Sequence, residues 1–176
     1  ENIQKEFTNY VNKSSTNYGV IKALAGQGKT ALMCRLISEN KNINHCIYHF
    51  CMSQDSRDRP EVMLRSLIAQ LCEIFKLNIT DWLSENLKDL KDNLFPNLLS
   101  QIGRGLKNKK ILIFIDALDE SNRDIEKSIG KVIPRIRIKN IKFIISYRAE
   151  TDNKNIFVEK TLDHLQDLKI LNFKTA

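Results

Sequence analysis

A chain of 176 residues, of which 42% are hydrophobic, is long enough for one globular domain with a buried core. Its longest apolar run, Ile111–Ile115, is far too short to cross a membrane, and its polar first residues predict no signal peptide. The formal net charge is +7, but the cations are spread along the chain and do not alternate with aromatic residues. We therefore expect a solvated basic surface, no membrane contact, and nucleic acid as an unlikely partner.

Two further general features are the first residues of the chain and its cysteines. The sequence begins Glu-Asn-Ile-Gln without a Met, so we expect a piece of a longer multidomain protein. Its cysteines have no C-x-x-C spacing, and we expect reduced, mostly buried thiols of a cytoplasmic protein. They are Cys34, Cys46, Cys51 and Cys72.

The first predicted element is a helix over residues 1–13, because Ile3, Phe7, Tyr10 and Val11 fall on one helical face. We divide the chain into this lead-in helix, residues 1–17, and a core of residues 18–176.

A glycine-rich turn follows the first predicted strand, residues 19–24, and is typical of a phosphate-binding loop. Gly26 and Gly28 have no Cβ atom, so the backbone can curl around an anion. The helix that starts near Thr30 offers unpaired N–H groups and the positive end of its dipole. The predicted nucleotide-binding residues are Ala25, Gly26, Gln27, Gly28, Lys29, Thr30 and Ala31.

Two side chains of this loop have specific predicted roles. Lys29 reaches the β- and γ-phosphates, and the Thr30 hydroxyl binds Mg²⁺. Ala23 replaces the first glycine of the strict G-x-x-x-x-G-K-[ST] pattern, and alanine fits there if its φ is negative. The alternative is an ordinary strand-to-helix turn.

Helices and strands alternate through the middle of the chain. We predict a helix to residue 40, a strand over residues 45–51 and a helix that begins at Pro60. A short helix, capped by Thr80 or Asp81, runs to Leu90, and another covers residues 94–106.

The next strand is a continuous apolar run that ends in Asp116 and suits a strand buried on both faces. A carboxylate at the carboxyl end of a parallel strand can hold Mg²⁺ beside Thr30, so we predict Thr30 and Asp116 as metal ligands. Asp119 and Glu120 follow closely, and we predict that they orient or deprotonate the attacking water. The alternative for each is a helix cap or a first-turn acid.

The last third of the chain has one clear strand, residues 141–148. Arg148 lies at its carboxyl end, and we predict that it senses the γ-phosphate or the transition-state charge. Residues 124–132 are predicted to be helical, whereas residues 155–171 fit either a helix or a short strand. The alternation predicts an α/β fold, a three-layer P-loop NTPase core with a central parallel sheet and helices on both faces.

Three of these segments together resemble the NACHT-type branch of the STAND class of P-loop NTPases. They are Ala-Leu-Ala-Gly-Gln-Gly-Lys-Thr at 23–30, Ile-Leu-Ile-Phe-Ile-Asp-Ala-Leu-Asp-Glu at 111–120 and Phe-Ile-Ile-Ser-Tyr-Arg-Ala-Glu at 143–150. In that family a small residue follows the Mg²⁺ aspartate, as Ala117 does, and an acidic pair comes shortly after. His49–Cys51 and the segment from Arg57 to Leu71 are similar to the family's second strand and following helix.

The resemblance implies an ATP/ADP switch, in which ADP holds a closed state and ATP drives self-association. It also implies that Thr16–Gly19 lies near the base. We therefore expect slow Mg²⁺-dependent hydrolysis that controls the oligomerisation of a larger signalling or defence protein. A nucleotide-binding scaffold without meaningful hydrolysis is the first alternative, and a P-loop kinase or nucleic-acid-dependent ATPase is the second.

Overall fold

The computed structural model describes residues 2–121, 123–149 and 153–172. Within these ranges the strands form one fully parallel sheet in the order β2-β3-β4-β1-β5. The strands are β1 (Tyr18–Ala23), β2 (His45–Phe50), β3 (Ile111–Asp116), β4 (Ile141–Arg148) and β5 (Lys169–Asn172).

Helices of very different lengths connect the strands, and a π-helical turn, Leu90–Leu94, runs directly into the fifth of them. No helix in the described part of the chain is both long enough and apolar enough to span a bilayer. The helices are α1 (Asn2–Lys13), α2 (Lys29–Asn40), α3 (Pro60–Phe75), α4 (Leu87–Asp89), α5 (Phe95–Gly105), α6 (Ile129–Val132) and α7 (Asn153–Leu162).

Both faces of the sheet are buried, which confirms the predicted three-layer α/β fold. Ile111, Ile113 and Ile115 of β3 belong to a core that α3, α5, α6 and α7 cover. Leu112 and Phe114 point to the opposite face, into a smaller core covered by α1 and α2. Successive strand residues alternate between faces, so a strand buried on both sides must be apolar throughout, as this one is.

The predicted lead-in helix forms and joins the smaller core. Phe7, Tyr10 and Val11 are buried, and the Tyr10 hydroxyl donates to the Phe143 carbonyl at 2.8 Å. Gly19 permits this approach, because a Cβ there would lie 2.9 Å from the Tyr10 ring. A domain boundary at residue 17 stays a prediction.

Two predicted helices are shorter than expected. Residues 80–90 do not form one helix, because Asn78 caps a 3₁₀ turn at Ile79–Asp81, and Asn86 then caps the short α4. Residues 124–132 are split in the same way, because Ser128 adopts an extended backbone between a 3₁₀ turn and α6.

Three other expectations are resolved by the structure. The ambiguous stretch 155–171 contributes to both α7 and β5. Thr16–Gly19 lies at the amino end of β1, the sheet edge opposite the glycine-rich turn. The expectation that this stretch lies near the base of a nucleotide whose phosphates bind in that turn is therefore wrong. Of the four free cysteines, Cys51 and Cys72 are buried as expected, whereas Cys34 is exposed on α2.

Candidate nucleotide-binding site

The glycine-rich turn connects β1 to α2 at the carboxyl edge of the sheet. Gly26 and Gly28 have φ values of 77° and 75°, the left-handed region that glycine enters without strain. A Cβ built on either one meets no atom within 4 Å, so the turn forms an open cradle. Ala23 is the last residue of β1 and is not among the described residues with positive φ, so alanine is compatible with this position.

The loop side chains hold the turn in shape. Lys29 Nζ donates to the carbonyls of Ala23 and Leu24, at 2.8 and 2.9 Å. The Gln27 side-chain oxygen accepts from the Leu24 N–H at 2.8 Å. The first-turn N–H groups of α2 have no acceptor within their own helix, and these donors face the cradle. A ring of N–H donors with an ammonium beside it suits a phosphate group.

Thr30 and Asp116 meet as the sequence predicts. The Thr30 hydroxyl donates to Asp116 Oδ2 at 2.6 Å, although β4 separates the β1 and β3 strands that carry the two segments. Asp116 is only 2% exposed. A hydroxyl and a carboxylate in contact at the foot of a phosphate cradle are oxygen donors of the kind that Mg²⁺ prefers.

Ser146 of β4 completes this contact and was not among the predicted site residues. Its hydroxyl donates to Asp116 Oδ1 and accepts from the Ala117 N–H at 3.1 Å. The sequence signal was the hydroxyl two positions before Arg148 in the strand motif. Ser146 therefore fixes the orientation of the Asp116 carboxylate and the start of the chain that follows it.

That chain turns sharply directly after β3. Ala117 has φ 55° and ψ 47°, the left-handed conformation, in which a large side chain is strained. A 3₁₀ turn, Leu118–Glu120, follows at once. The left-handed backbone at this position therefore explains why the sequence motif has a small residue after the aspartate. The turn that follows brings the two acids back over the edge of the sheet.

Arg148 binds both acids. Its guanidinium lies 3.3 Å from Asp119 Oδ2 and 3.0 Å from Glu120 Oε1. The Arg148 N–H also donates to Asp119 Oδ1 at 3.0 Å. The three predicted catalytic residues are therefore in mutual contact at the same sheet edge as the loop.

A cavity of about 860 Å³ opens beside this cluster. Its walls include Asp119, Glu120 and Arg148, together with Met52 and Asp58 from the segment after β2. Ser121 also lines it, and the buried Ser121 hydroxyl has no hydrogen-bond partner among the described residues. The segment that follows β2, which belongs to the family-like part of the sequence, thus forms one wall of the site.

Three carboxylates lie close together at this edge and affect the titration of a neighbouring thiol. Burial raises the pKa of the Cys51 thiol, and the nearby carboxylates of Asp116, Asp119 and Glu120 raise it further. The same negative field favours a divalent cation close to Asp116. The cradle, the ammonium and the oxygen pair fit a Mg²⁺–nucleotide, whose phosphates Lys29 and the loop N–H groups would bind and whose metal Thr30 and Asp116 would bind.

The comparisons with known proteins give the family. A model of the nephrocystin 3 N-terminal family matches residues 3–148, which include the loop, Asp116, the acidic pair and Arg148. The chain belongs to the nephrocystin 3 N-terminal family. The match covers α1 as well as the sheet as far as the end of β4. No curated protein matches the chain.

Solved structures of P-loop NTPase-like proteins share the fold at low sequence identity. ORC from Drosophila, bound to GC-rich DNA and Cdc6, has a TM-score of 0.60 and 13% identity over 96% of this chain and 55% of its own. ORC1 from Aeropyrum pernix, in complex with DNA, has a TM-score of 0.52 and 13% identity over 97% of this chain and 43% of its own. Cdc6p from Pyrobaculum aerophilum has a TM-score of 0.51 and 12% identity, with 97% and 43% covered.

These likenesses show a P-loop NTPase-like fold. The chain spans about half the length of the structures that it matches, between 43% and 55% of the three compared above. The comparisons support the predicted fold class without singling out the NACHT-type branch of the STAND class. They also do not support the expectation that nucleic acid is an unlikely partner, because two of the structures contain DNA.

Proposed function

We propose that this chain is the nucleotide-binding core of a Mg²⁺-dependent ATP/ADP switch with slow hydrolysis. The observation that carries the proposal is the 2.6 Å contact between the Thr30 hydroxyl and Asp116 directly below an open glycine cradle. Two segments 86 residues apart converge there in the arrangement that a Mg²⁺–phosphate group requires.

The residues have distinct proposed roles. The backbone from Ala25 to Ala31 binds the phosphates, and Lys29 exchanges its carbonyl partners for phosphate oxygens. Thr30 and Asp116 bind Mg²⁺, and Ser146 orients the Asp116 carboxylate. When bound, the metal neutralises phosphate charge and positions the terminal phosphate.

Slow turnover follows from the arrangement around Arg148. Its guanidinium is paired with Asp119 and Glu120 in this structure, and all three line the cavity of about 860 Å³. A phosphate cradle without a fully engaged arginine hydrolyses NTP slowly. Exchange of Arg148 between the acids and the γ-phosphate supplies the two states that a switch needs.

In the larger protein we propose that the nucleotide state controls self-association, in a cytoplasmic signalling or defence role such as the NACHT-type resemblance implies. A scaffold that binds nucleotide without meaningful hydrolysis is the main alternative, and the Arg148–acid pairing observed here is compatible with it.

A nucleic-acid partner is a separate hypothesis. ORC and Cdc6 structures share the fold, and ORC binds DNA in two of them. A titration with nucleic acid at several salt concentrations tests this hypothesis.

The deciding experiment is thermal unfolding with Mg²⁺-ADP, Mg²⁺-ATP and Mg²⁺-GTP. A ligand at about 100 times its Kd adds about 2.7 kcal/mol, which raises the Tm of a domain of this size by roughly 5–10 °C. We expect this rise with adenine nucleotides, its loss in Lys29→Ala, and its retention in Lys5→Ala, a matched exposed lysine on α1. The absence of any rise in the native chain would contradict nucleotide binding.

A further inference from the structure

A second cavity, of about 790 Å³, opens at the amino ends of the strands, opposite the phosphate loop. Four stretches of chain converge on it: residues 11–18 from the end of α1 to the start of β1, the entry to β3, residues 135–142, and residues 166–167 before β5. Its volume lies in the range of small-molecule sites. The nucleotide site described above uses none of these residues.

The walls of this cavity are strongly basic. None of its cations forms an ion pair with a described carboxylate, and Asp167 is the only carboxylate on its walls among the described residues. The cations are Lys13, Lys110, Arg135, Arg137, Lys139 and Lys142.

Lys142 distinguishes this cavity from an ordinary solvated basic surface. The residue is 1% exposed, and its ammonium donates to the carbonyls of Ser14 and Thr16 at 2.8 and 2.6 Å. The ring of Tyr10 lies 5.4 Å from the same nitrogen. These partners are neutral dipoles and a π face, so the buried positive charge is solvated but not neutralised by them.

The surroundings of Lys142 also shift its pKa. Burial, with smaller contributions from the positive charges of Lys110 and Lys169, lowers the pKa of Lys142 to about 8. A buried cation in a positive field is costly, and an anion in the cavity would offset that cost. The cavity therefore has a shape, a charge and an energetic reason to take a negatively charged ligand.

We propose that this cavity binds a compact ligand that carries several phosphate groups, at a site independent of the nucleotide loop. The arginines supply bidentate donors for phosphate oxygens, and the lysines supply further positive charge. A nucleic acid strand would need a stripe of cations along an open groove, with stacking aromatics. Here the cations instead face one concavity from several segments.

The test is calorimetric titration of the chain with inositol hexakisphosphate, which carries clustered phosphates and no base. The titration is run on the native chain and on Lys29→Ala, which disables the phosphate loop, and we expect the same affinity in both. The double variant Arg137→Gln/Lys139→Gln should bind about tenfold more weakly or worse, because it loses charge-assisted hydrogen bonds. Both of these side chains belong to exposed residues, so the fold should be retained.

The matched control is Lys5→Gln/Lys41→Gln, which removes the same charge from two exposed lysines that do not line the cavity. We expect less than about a twofold change, because those charges are screened from the site. Equal weakening in both double variants, loss of binding in Lys29→Ala, or no binding by the native chain would overturn the proposal.

Two further arms identify the source of the phosphates. Sedimentation with phosphatidylinositol-bisphosphate vesicles that the free inositol phosphate reverses would support the site and identify a lipid headgroup. Binding of the soluble compound without sedimentation would support the site and identify a soluble ligand. If a single-stranded oligonucleotide binds at these residues with a steep salt dependence and the inositol phosphate fails to displace it, the proposal is overturned in favour of nucleic acid.

Discussion

At the scale of single residues, the two adjacent acids of the candidate site differ in what holds them. Asp119 accepts from both the main-chain N–H and the guanidinium of Arg148, and its side chain is only 10% exposed. Glu120 contacts the guanidinium, and its side chain is 28% exposed. Asp119 therefore fastens the turn after β3 to the end of β4, whereas Glu120 is the better placed of the two to reach a water molecule.

This difference predicts unequal effects of two isosteric substitutions. Glu120→Gln should lower the rate of ATP hydrolysis by about 10²-fold or more, because it removes the general base that we propose. Asp119→Asn should lower it by only about tenfold, since the amide oxygen of the variant still accepts the Arg148 N–H. Single-turnover hydrolysis, with ATP affinity measured in parallel, separates chemistry from binding. Equal rates for the two variants, or the reverse order, would show that the roles are assigned wrongly.

At the scale of elements, contacts between residues far apart in the chain determine how neighbouring elements pack against one another. Gln70 of α3 accepts from the Tyr48 N–H at 3.0 Å and donates to the Tyr48 carbonyl at 2.9 Å. A glutamine side chain thus occupies backbone groups on the outer edge of β2, which protects that edge from pairing with another chain. Local sequence patterns contain no sign of this contact, since the two residues are 22 positions apart.

The short α6 is a second case, because it packs closely against α7. A Cβ at Gly130 would lie 2.2 Å from the Thr161 hydroxyl oxygen and 2.7 Å from its Cβ. Thr161 is itself buried and donates to the Val158 carbonyl at 2.7 Å. Glycine is therefore required at this crossing for space.

Gly130→Ala should consequently lower the free energy of unfolding by about 1–3 kcal/mol, because α6 and α7 must move apart. The matched control is Gly105→Ala at the end of α5, where an added Cβ meets nothing within 4 Å. That change should be neutral or stabilise by up to about 1 kcal/mol through helix propensity. Urea denaturation of both variants measures the difference, and a Gly130→Ala variant as stable as the native chain would contradict the crossing.

At the scale of the whole molecule, sequence periodicity predicted most strands to within about one residue. It left open whether β3 lies next to β1 or one strand away, because apolar runs of similar composition carry no information about their neighbours, and the structure places β4 between them. Lys29, Thr30 and Asp116 were predicted because their motifs are local. The Ser146 contact and the pairing of Arg148 with both acids depend on the register between β3 and β4, which pairs Ile115 with Ile145 and so brings Asp116 level with Ser146.

The basic edge of the sheet makes a prediction for the stability of the whole molecule as a function of pH. The pKa of Lys142 is lowered to about 8 in the folded chain from its ordinary value of 10.5. Between these values the unfolded state binds more protons at this group than the folded state does, so the group makes the free energy of unfolding rise with pH. Below about pH 8 both states are charged, and the folded state bears the full cost of the buried ammonium.

Lys142→Met keeps a long unbranched side chain and removes this contribution. The difference in the free energy of unfolding, native minus variant, should rise between about pH 8 and 10.5 at up to about 1.4 kcal/mol per pH unit. Burial raises the pKa of Cys46 to about 11, which opposes the rise at high pH, but that effect is common to both proteins and cancels in the difference. Urea denaturation of both proteins across this pH range measures the difference. If their free energies of unfolding change in parallel with pH, Lys142 is charged in the folded state at no cost. The main electrostatic reason for an anion in the cavity at the amino ends of the strands would then be lost.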